Sequence, residues 1–402
     1  MKYSKLFIIS VLLACISAAS YAQELTYNQF IKLVAEKNAA YLAEKYNVDI
    51  ATANVQAAKV FNDPELSVGY GNNEDWSLQM GQSVEVELSY NINFGGVRRA
   101  RINAANSEKE VTEASVNAYL CNLRSEAGQA WAEAWRLRES CKVLEANVID
   151  MEKIAQGDSI RLSVGDLGRT DAMQSKLEAQ TLRHELIALE AEYMNALLNL
   201  SYLIGGEKVE GIANQGLPTS SNTYTEPGIY QTAEANRADL RAAELSQVLS
   251  ENNMKLVKAS RAMELGLSLG YSWNKEVRNE IAPAPKFNGF SIGFSVPLKF
   301  SNSNKGELNA ARQAIMQSQQ ALLSARQQVH MEVAQAFNNY KTSKKVMEQY
   351  NGSILQDAKE ILESRKIGYQ NGENSLIEVI TAQQSYQEVM QAYIDAASQC
   401  YV

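Results

Sequence analysis

The sequence predicts a mixed α and β membrane protein in which strand pairs from several copies close a β-barrel that long helices continue. Three observations carry that fold class. Two stretches alternate apolar and polar residues over ten or more positions. Two helical patterns run for about sixty residues each with very few breaks. The unit of strand pair and long helix also occurs twice, at nearly constant spacing, within 402 residues.

The first alternating stretch, Ser83 to Phe94, is apolar at every even-numbered residue and polar at every odd one. Strand side chains point to opposite faces in turn, so one face is wholly apolar. Its length is roughly 40 Å at ~3.3 Å per residue, ample for a tilted membrane strand. The pattern returns from Phe290 to Phe300, where Phe290, Ile292, Phe294, Val296, Leu298 and Phe300 alternate with small, polar or charged residues. Each strand has a weaker partner upstream: Leu66, Val68 and Tyr70 for the first, and Leu265, Leu267, Leu269, Tyr271 and Trp273 for the second. Two amphipathic hairpins on a soluble core would alternate in the same way. The long helices that come after each strand pair favour the membrane.

In chain order, residues 1–22 read as a signal peptide. Lys2 and Lys5 precede an apolar run from Leu6 to Ala19, and Ser20-Tyr21-Ala22 offers a cleavage site before Gln23. The alternative is lipidation at Cys15, because Leu12-Leu13-Ala14-Cys15 resembles a lipobox. Residues 23–204 form a first repeat. Its helix runs from Leu25 to Val60, Asn62-Asp63-Pro64 breaks it, and a strand pair follows at about 65–94. Gly95-Gly96 ends the strands, and one helix from about Val97 to Ile160 would span roughly 95 Å. Gly157, Gly165 and Gly168 mark a turn, and a returning helix reaches about Leu203. Residues 205–228, with Pro218, Ser220-Ser221 and Pro227, form a linker at mid-height. The second repeat, 229–402, holds a helix over Ile229–Ala262, strands at about 263–300 and a long helix at about 306–368. Asn371-Gly372 turns the chain, and a last helix ends near Val402.

The duplication is specific. Asn93-Phe94 followed by Ile102-Asn103-Ala104-Ala105 returns 206 residues later as Lys299-Phe300 followed by Leu308-Asn309-Ala310-Ala311. Gly165 and Asp171 return 207 residues later as Gly372 and Glu378. Leu308, Ala311, Ile315, Leu322, Ala325, Val329 and Ala336 keep heptad steps, with Val333, Phe337 and Tyr340 as a second stripe, so each long helix expects neighbours on two sides.

Composition narrows the function. A net charge of -8 argues against a nucleic-acid partner. No run after the first residues approaches the ~20 apolar residues of a membrane helix. Cys121 and Cys141 lie twenty residues apart on one helix and cannot bridge each other; they and Cys400 read as buried small side chains. His184 and His330 each stand alone, and no phosphate loop, zinc-protease motif or nucleophile elbow occurs, so the chain does not read as an enzyme and no cofactor or metal is expected.

Membrane strands must close, one chain offers four, and the smallest barrels use eight. Several copies are therefore needed, two at minimum and three for twelve strands. At this point the chain resembles the TolC-like outer-membrane efflux protein family over nearly all of its mature length. The carriers are the duplicated unit and two turn motifs, Arg161-Leu-Ser-Val-Gly165-Asp-Leu and Gly368-Tyr-Gln-Asn-Gly372 continuing to Ser375-Leu-Ile-Glu-Val-Ile-Thr-Ala-Gln383.

The resemblance implies a homotrimer with a twelve-stranded β-barrel in the outer membrane of a Gram-negative bacterium and a helical barrel in the periplasm. It implies partners too: a periplasmic adaptor and an inner-membrane pump. It places Asp171, Tyr369, Asn374, Glu378 and Thr381 at a pore constriction, with Asn374 and Thr381 departing from the family's Arg and acid. Val164, Gly165, Asp166, Leu167, Gln370, Asn371 and Gly372 become adaptor-docking tips. The function expected is a passive exit duct of a tripartite efflux system for small molecules or ions. Two alternatives stand beside it: the exit channel of a type I protein secretion system, and a periplasmic coiled-coil protein without a pore.

Overall fold

The computed structural model describes residues 24–73, 76–214, 216–217, 224–298 and 305–401. The signal peptide with Cys15, Lys299-Phe300 of the repeat motif, Pro218 and Ser220-Ser221 of the linker, and Val402 lie outside them.

Along the chain run α1 (Tyr27–Lys37), α2 (Ala39–Lys59), β1 (Glu65–Gly71), β2 (Ser83–Asn93), α3 (Val97–Ser163) and α4 (Arg169–Leu203). The chain continues with α5 (Glu226–Asn236), α6 (Ala238–Ala259), β3 (Glu264–Asn274), β4 (Phe287–Ser295), α7 (Lys305–Gln349), α8 (Leu355–Gln370) and α9 (Leu376–Tyr401). The chain divides into two compact units, each assembled from stretches distant in sequence.

One unit (residues 44–118 and 234–329) holds the strands. They form one antiparallel sheet in the order β1-β2-β3-β4. The register sets Val68 opposite Val86, Val86 opposite Tyr271, and Tyr271 opposite Phe290. Apart from Phe287 at the start of β4, the strands therefore turn their apolar residues to the same face, and Leu66, Val68, Leu269, Phe290, Ile292 and Phe294 are exposed there. The other face is built of Glu, Ser, Asn and Gly, with Phe287 at its edge. Across β3 and β4 glycine meets serine at each step: Gly266–Ser295, Ser268–Gly293, Gly270–Ser291 and Ser272–Gly289. A Cβ on any of these glycines would lie 2.2–2.6 Å from the opposing serine Oγ, so a larger residue there would force that hydroxyl to turn away.

The other unit (residues up to 43, 119–233 and from 330) is helical. Its first core joins Phe30 and Val34 of α1, Leu123, Ala127 and Trp131 of α3, and Leu197, Leu200 and Leu203 of α4. Each large side chain buried this way contributes about 1.5–3 kcal/mol. Trp131 takes Tyr27 edge-on at 5.8 Å. The linker docks beside this core: Leu25 pairs with Ile212 in an isolated bridge, and Arg138 donates to the Ile212 carbonyl at 3.1 Å. A second core joins Leu144, Val148 and Met151 of α3 with Leu182 of α4, Tyr369 of α8, and Leu376 and Val379 of α9.

Several boundaries differ from those the sequence predicts. The first helix breaks at Asn38, whose amide donates to the Leu203 carbonyl at 3.0 Å while its side-chain oxygen accepts from the Tyr41 N–H at 2.9 Å. The corresponding helix of the second repeat breaks at Arg237, which pairs with Asp239. β4 begins at Phe287 and stops at Ser295, two residues before Pro297, which has no N–H for a ladder. The second long helix is not continuous: a π-helical turn at Tyr350–Ile354 separates α7 from α8, with Gly352 at ψ -128°. The cysteines are less buried than expected, since Cys121 is exposed and Cys141 and Cys400 are half-buried. Burial, helped by the nearby Glu190 carboxylate, still pushes the Cys141 thiol up to about 11, so it stays protonated and unreactive at neutral pH.

Candidate functional site

The two turn motifs end their helices by one device. Gly165 (φ +82°) and Gly372 (φ +77°) sit in the left-handed conformation just past α3 and α8. Gly165 N–H donates to Leu162 at 3.1 Å and Asp166 N–H to Arg161 at 2.9 Å. Gly372 N–H donates to Tyr369 at 3.1 Å and Glu373 N–H to Gly368 at 2.8 Å. These paired bonds satisfy the last helical carbonyls, and glycine adopts the positive φ without steric cost. Of the expected tip residues, Val164, Asp166, Gln370, Asn371 and both glycines are exposed, and Leu167 is half-buried. Asp166 is tied back by Arg161 Nε at 3.0 Å.

Asp171 and Glu378 hold equivalent places, in the first turns of α4 and α9. Glu378 accepts from the Ser375 N–H at 2.8 Å, and the Glu378 N–H donates to Ser375 Oγ at 3.4 Å. This reciprocal pair is a capping box, legible in the sequence as Ser-x-x-Glu. The Ser375 N–H holds the Glu378 carboxyl below its ordinary range, and Arg365 at 3.5 Å adds to that. Arg365 also donates to Asn374 Oδ1 at 3.2 Å, so Asn374 and Glu378 share one cation. Thr381 turns its hydroxyl onto the Ile377 carbonyl at 2.9 Å.

Tyr369 is placed differently from the others. It is only 7% exposed, and its hydroxyl lies 2.8 Å from both carboxylate oxygens of Asp158, itself 1% exposed. Burial, reinforced by that carboxylate, raises the phenol well above its ordinary range. Eight residues back along α3, Asp150 takes Lys366 Nζ at 2.5 Å, and Glu363 holds the same ammonium at 2.8 Å. Two polar contacts thus fasten α8 to α3. Asp150, Asp158 and Lys366 carry no signal in the sequence because each looks like one more charge on a long helix. Along α3 and α9, Ser140 donates to Gln391 at 2.8 Å and Gln383 to the Asn147 carbonyl at 3.2 Å, an amide-rich seam. Among the described residues no group of acids, cysteines and histidines is placed to hold a metal ion.

The sheet exposes an apolar face, and among the described residues no helix is long and apolar enough to cross a membrane. The chain belongs to the outer membrane efflux protein family, whose model matches residues 30–206 and 229–401. It is 23% identical over 381 residues to the cobalt-zinc-cadmium resistance protein CzcC of Cupriavidus metallidurans, covering 94% of this chain and 88% of that one. It is 22% identical over 387 residues to the outer membrane protein TolC of Vibrio cholerae, covering 93% and 87%. In structure it resembles the V. cholerae outer membrane protein VceC, with a TM-score of 0.72, 17% identity and 93% of each chain covered. The MtrE outer membrane channel of Neisseria gonorrhoeae in its open state superposes with a TM-score of 0.73 at 17% identity, over 93% of this chain and 86% of that one. The protein is an efflux channel of the outer membrane with its helices in the periplasm, and the pore-less coiled coil loses its ground.

Proposed function

We propose that three copies of this chain close a twelve-stranded barrel and form the exit duct of a tripartite efflux system. One observation carries this. The four-stranded sheet has its apolar face exposed, and within the chain β1 and β4 pair on one side only. An open strand edge is not tolerated in lipid, so β1 of one copy must meet β4 of the next. A periplasmic adaptor would dock on the turns at Val164–Leu167 and Gln370–Gly372, and an inner-membrane pump would supply the energy. Cationic cargo suits the duct: the four strands carry four glutamates and no Lys, Arg or His, and the relative CzcC is named for metal-cation resistance.

Native mass spectrometry of the detergent-solubilised protein tests the assembly, with three chains per particle expected. A monomer or a dimer would sink it. In bilayer recordings of the trimer, Glu378→Ala should lower cation preference if Glu378 rings the entrance. Unchanged selectivity would leave that side chain as a helix cap alone.

A further inference from the structure

At one end of the sheet the chain gathers three helix termini. The Phe94 N–H donates to the Met263 carbonyl at 3.2 Å, and Gly95 packs so closely on Ala262 that a Cβ would clash with it. Arg98 Nε donates to the Lys59 carbonyl at 2.9 Å, and Arg101 to the Val60 carbonyl at 3.1 Å, which binds the end of α2 to the start of α3. These two arginines have structural work.

Four other cations at the same end do not. Lys59, Arg99, Lys258 and Arg261 are exposed, and among the described residues none of them forms an ion pair. Arg99 lies in the first turn of α3, which has no acidic residue and where the helix dipole disfavours a cation. The nearby carboxylates, Asp63, Glu65 and Glu264, leave this end positive once Arg98 and Arg101 are counted. Between these cations and the apolar sheet face stand Val60, Phe61, Phe94 and Met263, each at least half exposed. The sheet itself contributes no cation.

We infer that this collar binds anionic phospholipid of the leaflet at the helical end of the sheet. The apolar residues meet acyl chains, and Lys59, Arg99, Lys258 and Arg261 meet phosphate headgroups. The inference rests on the reading that the sheet's apolar face lies in the bilayer. The collar continues that face, and a row of unpaired cations just outside an apolar band complements an anionic lipid surface.

The full-length protein is reconstituted in bilayer discs of equal phosphatidylglycerol and phosphatidylcholine, and the lipids it retains are counted by native mass spectrometry. The wild type should retain phosphatidylglycerol about tenfold over phosphatidylcholine. A variant with Lys59→Gln, Arg99→Gln, Lys258→Gln and Arg261→Gln should retain both equally, at unchanged assembly mass. The charge-keeping pair Arg99→Lys and Arg261→Lys should hold the preference, which separates charge from misfolding. Equal retention by the wild type, or an undiminished preference in the glutamine variant, would overturn the inference. Inorganic phosphate should not displace the lipid; if it does, the collar takes free phosphate and lipid is not the occupant. Flotation with pure phosphatidylcholine vesicles is the companion measurement. A wild type that floats but shows no preference fails this inference alone, whereas one that does not float fails the membrane reading as well.

Discussion

At the scale of single side chains, Asp158 has little room for change. Its carboxylate is all but sealed from water and takes the Tyr369 hydroxyl, with Arg161 at 4.0 Å. Tyr369→Phe removes that donor and leaves a buried charge short of partners, which should cost about 2–4 kcal/mol. Asp158→Asn keeps an acceptor for the hydroxyl and sheds the charge, so it should cost less. Thermal unfolding of the solubilised assembly should rank the two variants in that order, and the reverse would mean that the hydroxyl is dispensable. The sequence pointed to Tyr369 but not to its bond with Asp158. A tyrosine near a turn resembles a pore-lining group, and its partner lies 211 residues away, beyond any local pattern. Glu378 shows the opposite case, because its cap is written in a four-residue window.

At the scale of elements, the helix ends were easier to read than the helix interiors. Glycine marked the ends of α3, α4 and α8 because a left-handed residue is needed there. The three glycines are not equal, however. Gly165 and Gly372 have open space where a Cβ would go, whereas a Cβ on Gly205 would lie 2.6 Å from the Lys37 carbonyl. Gly165→Ala and Gly372→Ala should each destabilise by about 1 kcal/mol, and Gly205→Ala by clearly more, as measured by unfolding midpoints. Breaks inside helices were invisible for a physical reason. Asn38 and Arg237 are not helix breakers, and at Asn38 the break is made by a bond to α4. Gly352 lies inside the stretch expected as one long helix and sits at a kink.

The joint between α3 and α8 also makes a statement about pH. Burial works against the charge on Lys366, yet its bonds to Asp150 and Glu363 raise its pKa, and Tyr369 is raised by burial and by Asp158. For both groups the protonated form is favoured in the folded state. Their contribution is therefore whole below about pH 10, the ordinary range of free Tyr and Lys, and is lost as pH rises through the raised values. Unfolding rates of the wild type should accelerate above about pH 10, and the double variant Lys366→Met, Tyr369→Phe should lose most of that acceleration. An equal acceleration in both would place the alkaline weakness elsewhere.

For the whole molecule, the strands were the legible part. Strict alternation fixes which face of each strand is apolar, whatever surrounds it, so the common apolar face of β1 to β4 arises once they pair. The order of the strands was not written in the pattern, nor was the division into units assembled from stretches distant in sequence. Both are set by contacts between residues about two hundred positions apart, such as Val86 with Tyr271. The expectation of an oligomer rests on elimination alone, from four strands too few to close a barrel.

The glycine and serine pairs of β3 and β4 bear on how the hairpin finds its alignment. The apolar face cannot tell the native alignment from one shifted by two residues, because Leu, Ile and Phe would still face one another. The polar face can, since glycines recur every four residues on each strand, at Gly266 and Gly270 and at Gly289 and Gly293. A two-residue shift would set serine on serine and glycine on glycine, crowding one rung and emptying the next. Only a four-residue shift restores the match, and it would strip about 13 Å of strand of its partner. The two strands carry a vernier scale, cut in the smallest side chains they have.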